Sequence, residues 1–374
     1  MRVLLALDKF KGSLSAVQAC AALADGISAA APSAIVDRRP IADGGDGTLD
    51  AAVAAGFVPV PITVSGPTGE PVSTAYARRG DEAIVELATA CGLARLPGGR
   101  PDPLGASSIG VGQAIVGALD AGCHRIVLAI GGSASTDGGA GLLRALGARL
   151  LDSDGVEIGP GGGGLADLTR LDLSELNPAL PGAEIVVARD VDNPLLGPRG
   201  AATVYGPQKG ADAAEVRTLE ANLGRWADAV ALATGADRRD DAGAGAAGGV
   251  GFAALAVLGA RLVPGIDLLL DLVGFPAALS LADLVVTGEG SLDEQTLHGK
   301  APAGVAAAAR ARGVPTVAVA GRVLLSPERL AAAGISAAYG LSDLEPDPER
   351  SMVRAAELLD QVARVIARDW ILEP

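Results

Sequence analysis

Four apolar runs in this 374-residue chain each end in a cluster of Asp, Gly or Lys, and that repetition restricts the fold more than any other feature. Residues 2–8 run into Asp8, Lys9, Lys11 and Gly12, and residues 35–42 into Asp43-Gly44-Gly45-Asp46-Gly47-Thr48. Residues 125–130 run into Gly131-Gly132-Ser133-Ala134-Ser135-Thr136-Asp137, and residues 282–287 into Gly288-Glu289-Gly290. Short apolar runs bounded by turn residues read as buried strands. In open α/β sheets, ligands bind beyond the carboxyl ends of such strands. Glycines there let backbone N–H groups approach phosphate, and the helix start that follows favours anions. Carboxylates beside lysines point to metal ions and transferring phosphoryl groups. The pattern predicts an enzyme acting on phosphates.

The two ends of the chain predict one sheet between them. The first residues read as strand 2–8, helix 14–30, strand 34–42 and helix 46–55, with a capping-box pattern at Ser15 and Gln18. The last residues read as helix 266–281, strand 283–287, helix 300–312, strand 315–320, helix 327–333, strand 335–341 and helix 348–368. Joined, these give five strands with intervening helices, enough for a flavodoxin-like, doubly wound parallel sheet of order 2-1-3-4-5. The middle shows strand-like runs at 60–64, 73–77 and 83–87, then helix 107–120, strand 125–130, helix 137–147, strand 184–189 and helix 212–233. The expected organisation is a discontinuous α/β domain of 1–59 plus 266–374, with a second α/β domain, 60–265, inserted. In that order the clusters at Asp8–Lys11, Asp43–Asp46 and Glu289 meet at the switch point, facing a cleft between the domains.

Composition narrows the chemistry. Hydrophobic residues make up 49% and aromatics 2%, so the core must be built from Ala, Val, Leu and Ile. A formal charge of −14 argues against nucleic acid, and an acidic protein with an anionic ligand needs concentrated lysines or a cation. Cys20, Cys91 and Cys123 are odd in number and far apart, which indicates neither a disulfide scaffold nor a zinc site. Asp8 and Lys9 end the first apolar run too early for a signal peptide, and a cytoplasmic enzyme is expected. His124 and His298 read as structural, so histidine-based sites have almost no material. Residues 242–260 carry no charge and have the length of a membrane span, but Gly and Ala dominate them. A glycine-rich loop leading into a buried helix is the better reading.

Neither a Walker A pattern nor the protein-kinase signature set occurs. Gly243, Gly245 and Gly248 match G-x-G-x-x-G but follow charged residues rather than a strand, and Gly161–Gly164 reads as a loop. Gly131–Gly139 has a better context, between a strand and a helix. Gly131, Gly132, Ser133, Ser135 and Asp137 form either an anion cradle or a tight turn with Asp137 as its cap. Strand 184–189 ends at Asp190-Val191-Asp192-Asn193-Pro194, where two carboxylates and an amide can hold Mg²⁺ or orient a hydroxyl, or merely shape a turn. Lys209 precedes helix 212–233, and Lys300 follows Gly288-Glu289-Gly290 at another helix start.

Seven segments resemble the motifs of the bacterial type I glycerate kinases, in the family's order and across essentially the whole chain. They are residues 8–16, 40–48, 130–141, 190–197, 205–211, 243–249 and 287–296. The resemblance implies a two-domain α/β fold and ATP-dependent phosphorylation of D-glycerate, with 2-phosphoglycerate as product. Departures are few: Lys9 stands where many members have Ser, Thr136 for Asn, Tyr205 for Phe and Ser291 for Arg. Lys11 is therefore the safer functional lysine, and no cationic side chain is expected at 291.

Combining motif and chemistry, Asp190 is the leading candidate to orient or deprotonate the substrate hydroxyl, with Asp8 or Asp43 next. Lys11 and Lys209 are expected to neutralise phosphate or substrate carboxylate. Asp43, Asp46 and Glu289 are the candidate Mg²⁺ ligands, directly or through water. Gly131, Gly132, Ser133, Ser135, Asp137, Gly288, Gly290 and Lys300 are the candidate ATP-binding positions. A kinase for another small hydroxy acid or sugar acid is the alternative, and a non-catalytic metabolite-binding module is a third reading.

Overall fold

The structure is a computed structural model that describes residues 1–297 and 300–372, so His298 lies outside the described residues. The strands in chain order are β1 (Arg2–Leu7), β2 (Ile35–Arg38), β3 (Val58–Ser65), β4 (Pro71–Arg79), β5 (Glu82–Glu86), β6 (Arg125–Ala129) and β7 (Arg149–Leu151). They continue as β8 (Arg170–Asp172), β9 (Glu184–Arg189), β10 (Arg261–Pro264), β11 (Leu284–Leu292), β12 (Thr316–Val323) and β13 (Ala337–Gly340). Two compact units result. One comprises Met1–Asp43, Asp50–Gly56 and Pro264–Pro374, the other Gly44–Leu49 and Phe57–Val263.

The first unit holds a five-stranded sheet in the order β2-β1-β11-β12-β13, with every neighbouring pair parallel. This is the flavodoxin-like 2-1-3-4-5 order. β1 reads as an unbroken apolar run because both of its faces are covered; Val3 through Leu7 are all buried. Each fully buried Leu or Val contributes about 1.5–3 kcal/mol. The helix Ala16–Ala30 starts at the expected capping box, with Gln18 N donating to Ser15 Oγ at 3.2 Å and Ser15 N to Gln18 Oε1 at 2.9 Å. It packs with the helix Ala355–Ile366, and Leu23, Ile27, Leu359 and Val362 share one core with β1 and β11. Leu7 pairs with Gly288, so Asp8 and Glu289 come next in register on adjacent strands.

Strand 34–42 shortens to Ile35–Arg38, and three further segments of this unit differ from the sequence-based expectation. β11 runs on to Leu292 rather than stopping at 287, because β12 extends to pair Ser291 with Arg322 and Leu292 with Val323. Residues 266–281 form two helices, Gly265–Leu272 and Phe275–Leu279, broken where Gly274 takes φ 69°. Residues 348–368 likewise divide, into Pro348–Val353 and Ala355–Ile366, at Arg354 (φ −96°, ψ 11°).

The second unit is built on a six-stranded sheet, β10-β9-β6-β5-β4-β3. β3, β4 and β5 run antiparallel, whereas β5, β6 and β9 run parallel. The parallel strands send Glu86, the Gly131–Ser133 turn and Asp190 out at the same end of the sheet. The core is aliphatic, as the composition requires, and is completed by fully buried Trp226 and Phe252. Trp226 meets its one polar need by donating Nε1–H to Gly138 O at 2.9 Å. The helix Ala213–Thr234 starts at Asp212, which accepts from Ala214 N and Glu215 N, and it stops at Gly235 with φ 76°.

Here too the sequence misled in places. Gly161–Gly164 is a helical turn, not a loop: Gly162 lies so close to Thr136 O and Leu219 that a Cβ would stand 2.3 Å from the carbonyl. The hairpin of β7 with β8 was not expected. The helix expected over 137–147 is shorter, Ala140–Ala145. The uncharged stretch at 242–260 forms a turn and the largely buried helix Ala246–Ala256. Among the described residues no helix is long and apolar enough to cross a membrane. All three cysteines are free and buried.

Candidate active site

The second unit contains a cavity of about 160 Å³ at the carboxyl ends of β6 and β9, lined among others by Gly132, Ser133, Asp190, Tyr205, Lys209 and Gly248. Comparable space, about 150 Å³, is enough to hold benzene, so a three-carbon acid fits. Asp190 follows directly on β9, so a rigid strand carries it to the opening, where it is exposed. Tyr205 donates its hydroxyl to Asn193 Oδ1 at 2.7 Å, and Asn193 Nδ2 donates to Arg199 O at 2.7 Å, which braces the turn after Asp190. Arg189, also in the lining, is paired with Asp192.

Lys209 keeps only 3% of its surface. It ends the short turn Pro207–Lys209 before the capped helix Ala213–Thr234, and its Nζ donates to Ser133 Oγ at 3.0 Å and to Ser135 O. Burial pushes the pKa of the ammonium down from 10.5 to about 7, against the upward pull of Asp137. The wall beside it is tight. A Cβ on Gly248 would lie 2.1 Å from Ser135 O, and Ala247 adopts a left-handed backbone (φ 53°) while its carbonyl accepts from Ser133 Oγ at 3.2 Å.

The Gly131–Asp137 segment divides into parts with different roles. Gly132, at φ 77° and exposed, is the position where a ligand can reach the backbone. Gly131 is glycine because a Cβ would stand 2.5 Å from Gly45 Cα. Asp137 is fully buried and is no ligand group in this structure. It accepts from Ser108 N and Ser108 Oγ (both 2.8 Å) and from Gly139 N and Gly141 N (both 3.1 Å), so it organises the turn into the next helix. Ser135 Oγ and Thr136 Oγ1 are buried without a hydrogen-bond partner.

The first unit carries a carboxylate cluster. Asp8 is 6% exposed and Glu289 8% exposed. Burial raises the Asp8 pKa from 3.8 to about 7; Lys9 opposes this, while Asp43 and Glu289 add to it. Glu289 is raised as well, first by burial, against the Thr296 hydroxyl, which donates to Oε1 at 2.5 Å, and against Lys300; Asp293 and Asp43 add to the rise. Lys300 stands at the start of the helix Ala301–Ala311, and Lys11 is exposed in the turn after β1. Gly288 and Gly290 have packing reasons to be glycine. A Cβ on Gly288 would meet Val319 O at 2.0 Å, and one on Gly290 would meet Lys11 N at 3.3 Å.

The predicted magnesium ligands are not all in one unit: Asp43 and Glu289 belong to the first, exposed Asp46 to the second. Among the described residues no group of three or more His, Cys, Asp or Glu is placed to hold a metal ion. The donors are hard carboxylate oxygens, and Asp8, Asp43 and Glu289 feel one another's charge. That set fits a Mg²⁺ ion carried on phosphates and met by one or two carboxylates, and does not fit a protein cage. Sequence reasoning missed Glu86, which closes β5 and is 2% exposed. The signal was a carboxylate directly following the buried run Ala83–Val85.

Comparison with known proteins accounts for the chain almost end to end. Residues 3–371 match the Glycerate kinase family. The chain is 44% identical to a glycerate kinase of Bacillus subtilis (strain 168) over 371 residues, covering 98% of this chain and 97% of that protein. It is 43% identical to a glycerate 2-kinase of Escherichia coli (strain K12) over 86% of this chain and 85% of that protein. Its fold is similar to a crystal structure from Salmonella typhimurium LT2 described as a glycerate kinase 2, with a TM-score of 0.86, 42% identity and coverage of 98% and 97% of the two chains. A parallel sheet with clustered carboxylates, a cavity floored by a buried lysine and these full-length matches lead to one assignment: the chain belongs to the glycerate kinase family.

Proposed function

We propose that this protein transfers the γ-phosphoryl group of ATP, with Mg²⁺, to the 2-hydroxyl of D-glycerate, giving 2-phosphoglycerate and ADP. The observation that carries the reading is the cavity of the second unit, with a buried cation, Lys209, in its wall and a carboxylate, Asp190, at its opening. A small hydroxy acid has the complementary pair of groups, a carboxylate and a hydroxyl. Lys209, steadied by Ser133, pairs with the substrate carboxylate, and that charge restores the lysine's positive form. Asp190 orients the hydroxyl and takes up its proton as the oxygen attacks phosphorus. Gly132 N–H and exposed Lys11 neutralise charge on the transferring group. Asp43, Glu289 and Asp46, one or two of them at a time and directly or through water, are the residues that would hold Mg²⁺, which would neutralise charge on the phosphates. Free, buried cysteines support a cytoplasmic setting.

A coupled assay for ADP over a panel of small hydroxy acids and sugar acids, with NMR of the phosphorylated product, tests this. D-glycerate should be the preferred acceptor, with phosphate on the C2 oxygen. Preference for another acid would transfer the same machinery to that substrate, and phosphate on C3 would overturn the assigned orientation.

A further inference from the structure

Glu86 is a buried carboxylate to which none of the roles above gives a task. It ends β5, keeps 2% of its surface, and directs its two oxygens at backbone donors of a single turn. Gly47 N donates to Oε1 at 3.3 Å and Leu49 N to Oε2 at 2.7 Å. These donors flank the start of the helix Thr48–Ala54, where N–H groups lack partners within the helix. The turn they belong to is Asp43-Gly44-Gly45-Asp46-Gly47-Thr48, the one that exposes Asp46.

The same turn is held from its other side. Gly131 N donates to Gly44 O at 3.2 Å, and the missing Cβ of Gly131 leaves just enough room for Gly45 Cα. Inside the turn, Thr48 Oγ1 donates to Gly45 O at 2.7 Å, and Gly44 and Gly47 take φ 93° and 98°. Two left-handed glycines make a turn that could adopt many shapes; Glu86, Thr48 and the Gly131 backbone leave it one. Burying a carboxylate is costly, and a neutral Ser, Thr or Asn caps a helix at less cost. The two oxygens here accept from two closely spaced donors of a flexible segment, a two-point hold that a single hydroxyl oxygen does not supply.

We propose that Glu86 is a positioning residue for phosphoryl transfer, acting through Asp46 by fixing the turn that presents it. This rests on the reading that Asp46 serves the phosphate-bound Mg²⁺. Outer-shell partners of that kind change metal affinity or activity by about 10–100-fold when removed.

The test compares wild type, E86Q, D46N and the double variant for kcat, half-saturating Mg²⁺, KM for D-glycerate and Tm. Hydrogen exchange at the Leu49 amide is followed alongside. E86Q should lower kcat or raise the half-saturating Mg²⁺ by about 10–100-fold, leave the KM for D-glycerate unchanged, and speed exchange at Leu49. In the D46N background the same change should cost less than about 3-fold, since coupled residues are not additive. A variant that loses only Tm, an undiminished E86Q effect in D46N, or a D46N protein as active as wild type would each overturn the proposal. Should E86Q not fold, E86D, which keeps the charge but withdraws the oxygens by one methylene, is measured in the same way. Failure of the wild type to phosphorylate D-glycerate would count against the proposed substrate alone. Mg²⁺–ATP binding by calorimetry across the four proteins then decides the role of Glu86: weaker binding in E86Q but not further in the double variant supports it, and equal binding in all four overturns it.

Discussion

Lys209 Nζ stands 3.0 Å from Ser133 Oγ in the wall of the second unit's cavity, a buried cation whose two assigned hydrogen-bond partners are both uncharged. Burial brings its pKa to about 7, below the 10.5 of an exposed lysine. Below pH 7 both folded and unfolded chains carry the proton, and the cost of burying the charge is fully felt. Between about pH 7 and 10.5 the unfolded chain binds the proton and the folded one does not, so stability rises with pH. Wild-type stability relative to Lys209→Met should therefore increase across that window by on the order of a few kcal/mol. Denaturant titrations of both proteins from pH 6 to 10 check this, and a difference that stays flat would contradict the buried-cation assignment.

Asp8 makes the opposite trade. Its raised pKa means that an ionised Asp8 costs stability, fully above about pH 7 and progressively less as pH falls toward 3.8. Asp8→Asn keeps the oxygen that accepts from Lys9 N at 2.6 Å while removing the charge. In metal-free protein at pH 8 the variant should melt several degrees higher, each kcal/mol giving about 2–4 °C, and the gain should fade near pH 4. The Tm rise on adding Mg²⁺ and ATP should shrink in the same variant. A lower Tm at pH 8 would make Asp8 a structural residue.

The five-stranded sheet was legible because β1, β11 and β12 are covered on both faces and so appear as continuous apolar runs, and because the cluster at Asp8 marks where β1 ends, whereas the one at Glu289 lies inside β11. What escaped was decided by contacts between distant residues. The turn at Gly161–Gly164 is helical because Thr136 and Leu219 leave no room for side chains, which no local propensity reports. β7 and β8 are three residues each and stand far apart in sequence, too short to show alternation. Glu86 follows an apolar run and Asp137 a Gly- and Ser-rich turn, and neither context tells which way its carboxylate faces. Only the structure shows both turned inward onto backbone N–H groups while Asp190 stays exposed at the cavity.

The wall behind Lys209 should tolerate no side chain at Gly248. Gly248→Ala places a Cβ 2.1 Å from Ser135 O and asks alanine to hold φ 68°. The left-handed backbone costs about 1–2 kcal/mol, and the clash adds to it. Tm should fall by several degrees and the KM for D-glycerate should rise as the Lys209–Ser133 pair is pushed out of place. Thermal melts with steady-state kinetics decide this; wild-type values for both would show that the wall yields.

The central claim is that the cavity at the ends of β6 and β9 carries out the transfer, with Asp190 at the reacting hydroxyl. The most direct measurement is kcat and Tm for Asp190→Asn on one preparation, with D-glycerate, ATP and Mg²⁺. Asparagine keeps the shape and can accept a hydrogen bond but takes up no proton at neutral pH. A fall in kcat of about 10²–10⁴-fold with Tm within a degree or so of wild type is the predicted result, because exposed Asp190 supports no core packing. Near-wild-type turnover with a lowered Tm would contradict the account and move the base to Asp8 or Asp43.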